Sequence, residues 1–185
     1  ISGIEKSQNT LLRKTKIPLQ LTLDSDIQFL IRKELIRFNN IFQTKGSAAV
    51  LMNVNNGNIL SLVSLPDFDP NKREKIKDKN YINKITKGVY ELGSVFKTFT
   101  LAAALDENLI KIDTKFIDLE KSIDCGKNTI REYDKKIPKD LTAEEILIRS
   151  GNIGSVRIGQ KIGVEKFKDF LTKINVINKI EFDID

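Results

Sequence analysis

Apolar residues recur at Ile27, Leu30, Ile31, Phe38, Ile41 and Phe42, spacings that place them on one face of a helix. Asp24 lies just ahead of that run and supplies a capping oxygen, so the pattern predicts an amphipathic helix opened by Asp24 and ended by Lys45-Gly46. The period then changes. Residues 47–54 and 59–65 are two short apolar runs around Asn55-Asn56-Gly57-Asn58, and Asn56-Gly57 is a strong hairpin signal. Both runs are apolar on both faces, so the hairpin needs cover on each side. The expected fold class is therefore α+β, an antiparallel sheet sandwiched by helices.

Further along, Gly93 breaks the chain ahead of a segment from Ser94 to about Glu107. This segment contains Ala102-Ala103-Ala104-Leu105, is a strong helix former and is apolar on most faces, which predicts a buried central helix. Thr142 and Glu145 form a capping-box pattern at the start of a short helix over 142–149. Two more helices are expected near 153–162 and 164–174, with Gly163 breaking them. Residues 1–15 are polar and basic, and no internal repeat or low-complexity tail is present.

Candidate chemistry begins at Ser94 and Lys97, the one S-x-x-K in the chain. A serine hydroxyl is a poor nucleophile at its free pKa and needs a base within reach. The chain has no histidine, which leaves lysine as the obvious base. In the first turn of a buried helix a lysine loses solvation, which lowers its pKa towards the range of a useful base. A plain alternative stands beside this: Ser94 as an ordinary N-cap and Lys97 as a solvated first-turn residue. Ser150-Gly151-Asn152 follows the capping-box helix, and a hydroxyl and an amide two residues apart on a tight turn can point into one cleft. Taken alone it is also a simple turn of good turn formers, as Ser7-Gln8-Asn9 illustrates.

The two motifs in this order resemble the penicillin-recognising serine transferases, whose signature is S-x-x-K, then S-x-N, then K-T-G. Tyr90-Glu91-Leu92-Gly93-Ser94-Val95-Phe96-Lys97 resembles the Y-E-P-G-S-x-F-K of class B penicillin-binding proteins, and Arg149-Ser150-Gly151-Asn152-Ile153-Gly154 their S-S-N-V-G. Ser2-Gly3-Ile4-Glu5, Leu21-Thr22-Leu23-Asp24 with Ile27-Gln28, and Leu65-Pro66-Asp67-Phe68-Asp69-Pro70-Asn71 are similar to further segments of the same family. Asparagine in the second motif is closer to the division-specific peptidoglycan D,D-transpeptidase than to the elongation-specific one.

That resemblance implies a fold of the penicillin-binding transpeptidase and serine β-lactamase type, incomplete at its C-terminal side. Residues 1–15 would end a pedestal or linker region, and 16–185 would form the N-terminal part of the transpeptidase domain. It also implies Ser94 as nucleophile, Lys97 as base, Ser150 as proton relay and Asn152 as substrate-binding amide. Implied partners are stem peptides ending D-Ala-D-Ala, β-lactams, a lipid-linked glycan polymerase and other division proteins, at the periplasmic face of the inner membrane. Leu92 stands where many relatives have proline, and no K-T-G or K-S-G occurs in the sequence. Rival readings are a truncated, non-catalytic domain with a binding role, and a serine β-lactamase or β-lactam sensor.

Composition narrows the picture. The 185 residues are 40% hydrophobic and 30% charged, the balance of one globular domain or most of one. The net charge of +6 is spread among acidic residues, as in the run at 72–79, which reads as a solvated loop and not as a nucleic-acid stripe. Cys125 is the single cysteine, so an intramolecular disulfide and a multi-cysteine zinc site are excluded, and it is expected at a turn or structural position and not a reactive one. No metal or cofactor is expected. No apolar stretch approaches the length that spans a bilayer, and no signal peptide is visible.

Overall fold

The computed structural model describes residues 3–69, 82–180 and 182–184. The charged run at 72–79, with Pro70 and Asn71, lies outside the described residues. The chain forms two compact units, Ile1–Tyr90 with Glu181–Asp185, and Glu91–Ile180.

The first unit opens with two short helices, α1 (Ile4–Ser7) and α2 (Asn9–Lys14). The helix α3 (Ser25–Phe42) then starts as expected, with the Asp24 carboxylate accepting from the N–H groups of Asp26 and Ile27, both at 3.0 Å. It ends earlier than Lys45-Gly46: Gln43 takes the left-handed conformation at φ 50° and its N–H closes on Asn39. The predicted apolar face is also split. Ile27, Ile31 and Leu35 are half-buried along with Gln28, whereas Leu30, Phe38, Ile41 and Phe42 are exposed. On that outer side the Phe38 and Phe42 rings stack at 5.8 Å, and the Arg37 guanidinium lies over Phe38.

Strands β1 (Ser47–Met52) and β2 (Ile59–Leu65) pair antiparallel, from Ser47 opposite Leu65 to Leu51 opposite Ser61. The connecting loop is longer than the Asn-Gly signal suggests. Asn53 and Asn56 side chains accept from the N–H groups of Asn55 and Asn58, and these local bonds compete with the ladder and end β1 at Met52. Gly57 supplies the positive φ that the turn needs, at 76°.

The other edge of β2 is closed by the segment leading into α3. Thr22 Oγ1 donates to the Ile59 carbonyl, and the Asp24 N–H to that of Leu60. The Gln28 amide then acts as a substitute strand residue: Nε2 donates to Leu62 O at 2.9 Å, while Oε1 accepts from Leu62 N at 2.9 Å and from the Ser61 hydroxyl at 2.8 Å. Ser61 is fully buried, and this bond satisfies it.

The second unit has a conventional core. A 3-10 turn (Gly93–Phe96) runs into α4 (Lys97–Asp106), so the expected single helix from Ser94 is two pieces. Short strands β3 (Lys115–Phe116), β4 (Ser122–Cys125), β5 (Asn128–Arg131) and β6 (Leu141–Thr142) follow, paired antiparallel as β3 with β6 and β4 with β5. The β4–β5 hairpin is unanticipated by the apolar pattern, because its polar strands carry one inward pair, Ile123 opposite Ile130. Cys125 is exposed beside the hairpin's turn at Gly126.

Three helices close the unit: α5 (Ala143–Ile148), α6 (Asn152–Ile162) and α7 (Val164–Lys173). The Thr142/Glu145 capping box is complete, and Gly163 separates α6 from α7 at φ 79°. Ala103, Ala104, Ala143 and Ile153 have no exposed surface, and Ile146 and Ile158 almost none. Gly154 makes this closeness possible, since a Cβ there would meet Ile146 side-chain carbons at 2.6 to 2.8 Å.

Candidate active site

Lys97 is the first residue of α4, and its side chain crosses to the turn between α5 and α6. Nζ donates to the Ser150 carbonyl at 2.6 Å, to Asn152 Oδ1 at 2.6 Å and approaches Ser150 Oγ at 3.1 Å. Three of the four sequence candidates therefore meet at one ammonium.

The turn that presents these acceptors follows from how α5 ends. Ser150 N donates to Leu147 O and Gly151 N to Ile146 O, the paired bonds of a Schellman motif, which requires a left-handed residue at the position of Ser150. Glycine is the usual occupant. Ser150 takes it at φ 51°, a conformation that costs an L-residue about 1–2 kcal/mol. In return the chain places a hydroxyl and a carbonyl of one residue against the same nitrogen.

Asn152 begins α6 and is held from three sides. Its Oδ1 accepts from Lys97, its Nδ2 donates to Arg131 O at 2.7 Å, and its backbone N–H donates to Glu132 Oε2 at 2.7 Å. Glu132 Oε1 accepts the next N–H, from Ile153, at 2.9 Å. Tyr133 adds a hydroxyl bond to the Arg149 carbonyl at 3.0 Å. Sequence reasoning missed Glu132. It lies 20 residues from Asn152, and no local spacing signals a carboxylate that caps a helix from another element.

Burial pushes the Lys97 pKa down, and the nearby Glu132 carboxylate pulls partly the other way. The direction matters for the proton inventory. A protonated Lys97 has three donors for three acceptors; a neutral amine has two donors and one lone pair. The Ser150 carbonyl and Asn152 Oδ1 can only accept, so the partner able to reverse its bond is the Ser150 hydroxyl.

Ser94 lies apart from this network. It is exposed in the 3-10 turn, and among the described residues its Oγ makes no hydrogen bond, to Lys97 or otherwise. In this arrangement all three Lys97 protons are engaged by Ser150 and Asn152, and none by Ser94. Such bonds are often long before substrate arrives. Among the described residues no group of three His, Cys, Asp or Glu is placed to hold a metal ion.

Comparison with known proteins bears on this geometry directly. The family described as penicillin binding protein transpeptidase domain matches residues 47–185. The chain belongs to that family. The probable peptidoglycan D,D-transpeptidase FtsI of Caulobacter vibrioides is 28% identical over 188 residues, covering 100% of this chain and 32% of the relative. Stage V sporulation protein D of Bacillus subtilis is 29% identical, covering 92% of this chain and 27% of its own length. Among solved structures, the D,D-transpeptidase domain of a peptidoglycan glycosyltransferase from Eggerthella lenta superposes with a TM-score of 0.81 at 26% identity, over 98% of this chain and 44% of that one. This transpeptidase-domain chain thus spans about a third of the curated relatives it matches. Its mixed helices and antiparallel strands match part of the fold of that domain.

Proposed function

We propose that the protein is a division-type peptidoglycan D,D-transpeptidase that cross-links stem peptides through a serine acyl-enzyme. The observation that carries this reading is the Lys97 ammonium, held by both Ser150 and Asn152 at the head of the helix that Ser94 leads into. Family membership and the names of the relatives support it.

In the proposed reaction neutral Lys97 takes the Ser94 hydroxyl proton as Oγ attacks the carbonyl carbon of the penultimate D-alanine. The C–N bond to the terminal D-alanine breaks, and the proton returns from Lys97 through the Ser150 hydroxyl to the departing amine. An amine of a neighbouring stem peptide then attacks the acyl carbon: the amide C–N bond forms, the ester bond to Ser94 Oγ breaks, and the proton lost by the amine passes by way of Lys97 to Ser94 Oγ. The second proton of Asn152 Nδ2 is left for a substrate carbonyl. The backbone N–H of Ser94 serves as one oxyanion donor by resemblance. A second would come from a K-T-G strand, which this sequence does not contain; one such donor is worth about 100- to 1000-fold.

In the same reading residues 1–15 end a preceding pedestal, and 16–185 form the N-terminal part of the domain. β-Lactams act as substrate mimics, division proteins including a lipid-linked glycan polymerase are partners, and the domain faces the periplasm. No helix among the described residues is long and apolar enough to cross a membrane. Intact mass of the full-length protein before and after penicillin tests the assignment. The wild type should gain one acyl group and Ser94→Ala none; labelling of the alanine variant would refute Ser94 as nucleophile.

A further inference from the structure

The last residue of β5 and the two that follow it form a clamp on the turn that holds Lys97. Arg131 gives its carbonyl to Asn152 Nδ2, Glu132 its carboxylate to two backbone N–H groups, and Tyr133 its hydroxyl to the Arg149 carbonyl. Three consecutive residues thus fix both ends of the stretch from Arg149 to Ile153. The glutamate has a task that α6 cannot fill itself. Its N-cap residue is Gly151, with no side chain to cap the helix, and the first N–H groups of any helix need acceptors. A carboxylate spanning two of them is a charge-assisted cap at the positive helix end, stronger than a neutral one.

Position follows from this cap. Asn152 can offer Oδ1 to Lys97 at 2.6 Å only while its backbone is held in register, and the same register presents the Ser150 carbonyl and hydroxyl. We propose that Glu132 is a positioning residue of this site: its carboxylate holds the start of α6 so that Asn152 and Ser150 keep their places around Lys97. The inference rests on the reading of Lys97 as the base of an acyl transfer, and it adds a residue that touches neither the substrate nor Ser94. Glu132 is also the charged side chain whose field reaches Lys97, so its removal has an electrical signature that a loss of packing lacks.

The test compares Glu132→Gln and Glu132→Asp with the wild type in the full-length protein. Two readouts are taken: the pH titration of the Lys97 Nζ nitrogen by NMR, assigned with Lys97→Arg, and the second-order rate of acylation by penicillin. Glutamine keeps the shape but removes the charge and offers one acceptor where two are needed. Lys97 should then titrate at lower pH than in the wild type, and acylation should fall by roughly 10- to 100-fold, the scale of small misplacements at reacting groups. Aspartate restores the charge, so Lys97 should titrate near its wild-type position and part of the acylation rate should return. Tyr133→Phe, which loosens the other end of the clamp, should leave the Lys97 titration unmoved.

An unchanged Lys97 titration and rate in folded Glu132→Gln would overturn the proposal. So would equal losses of rate and melting temperature in the glutamine and aspartate variants with Lys97 unmoved, since that is the pattern of a purely structural residue. If glutamine prevents folding, the aspartate variant decides on the same two readouts. The titration does not depend on acylation. A wild type that penicillin fails to acylate would therefore sink the reading of the function while leaving the positioning of Lys97 by Glu132 to stand or fall on the NMR result.

Discussion

In the unit Glu91–Ile180, apolar residues from four helices close on one another until Ala103, Ala104, Ala143 and Ile153 expose nothing; in the other unit, Val63 and Leu65 are the only buried apolar residues among those described. Both contain helices with strongly patterned sequences, so patterning is not the difference. The second unit has α4, α5, α6 and α7 to pack together, while the first has one long helix and a two-stranded sheet, an assembly that is marginal without further cover. Lys97, Ser150 and Asn152 all belong to the well-packed unit. A site that depends on hydrogen bonds of 2.6 Å is built where the backbone has least freedom to drift.

The sharpest way to break this contrast is a matched pair of truncations. Ile153→Ala should cost about 2–5 kcal/mol, because Ile153 is fully enclosed, whereas Leu30→Ala should stay within about 0.5 kcal/mol at 57% exposure. Hydrogen exchange of the α6 and α3 amides in residues 1–185 would report both. Repeating Leu30→Ala in the full-length protein sharpens the result, since a cost near that of Ile153→Ala would mean that other residues cover the outer face of α3 there.

Within the weaker unit one side chain carries unusual weight. Gln28→Leu removes three hydrogen bonds and leaves the buried Ser61 hydroxyl and both polar groups of Leu62 without partners. Each such group costs about 1–3 kcal/mol, so the substitution should free β2 from α3. Faster exchange of β2 amides with α6 unchanged is the expected result. Loss of protection throughout both units would instead show that they unfold together.

These contrasts also explain what could be read in advance. Asp24, the Thr142/Glu145 box and Gly163 act on neighbours within a few residues, so their roles follow from local spacing, and the structure bears them out. The face of α3 that is covered depends on where β2 lies, and periodicity cannot supply that. Ile27 and Ile31 turn inward but Phe38 and Phe42 do not, because a glutamine at position 28 anchors the helix to the strand edge. Within the site, the S-x-x-K and S-x-N spacings single out Lys97, Ser150 and Asn152, which the fold brings together. Glu132 joins them from a hairpin whose polar strands leave little apolar pattern to detect.

The depressed pKa of Lys97 makes a pH prediction with a definite sign. Its folded value lies below the unfolded one through burial, so the neutral amine becomes available at lower pH than for a free lysine. Acylation should rise with pH through that depressed value and level off above it. For stability, Lys97 contributes most favourably above its unfolded pKa, and that contribution is lost as pH falls through the folded one. Lys97→Arg keeps the charge without a usable lone pair, so acylation should vanish at every pH in a folded variant. Near-normal acylation by the arginine variant would remove Lys97 as the base.

The smallest effect concerns Ser150, where the conflict between stability and chemistry sits on one residue. Its left-handed backbone is forced by the way α5 ends, as the bonds from Ser150 N to Leu147 O and Gly151 N to Ile146 O require. Ser150→Gly relieves that conformation and Ser150→Ala does not, yet both delete the hydroxyl that faces Lys97 at 3.1 Å. Glycine also gives the unfolded chain more freedom, so the net advantage of glycine over alanine should be about 1 kcal/mol. Exchange protection of α5 and α6 amides measures that difference, and acylation rates of the same two variants should both be low. If glycine and alanine are equally stable, Ser150 stores no strain. If the glycine variant acylates as fast as the wild type, its hydroxyl is not the relay, and the left-handed turn serves only to aim the carbonyl at Lys97.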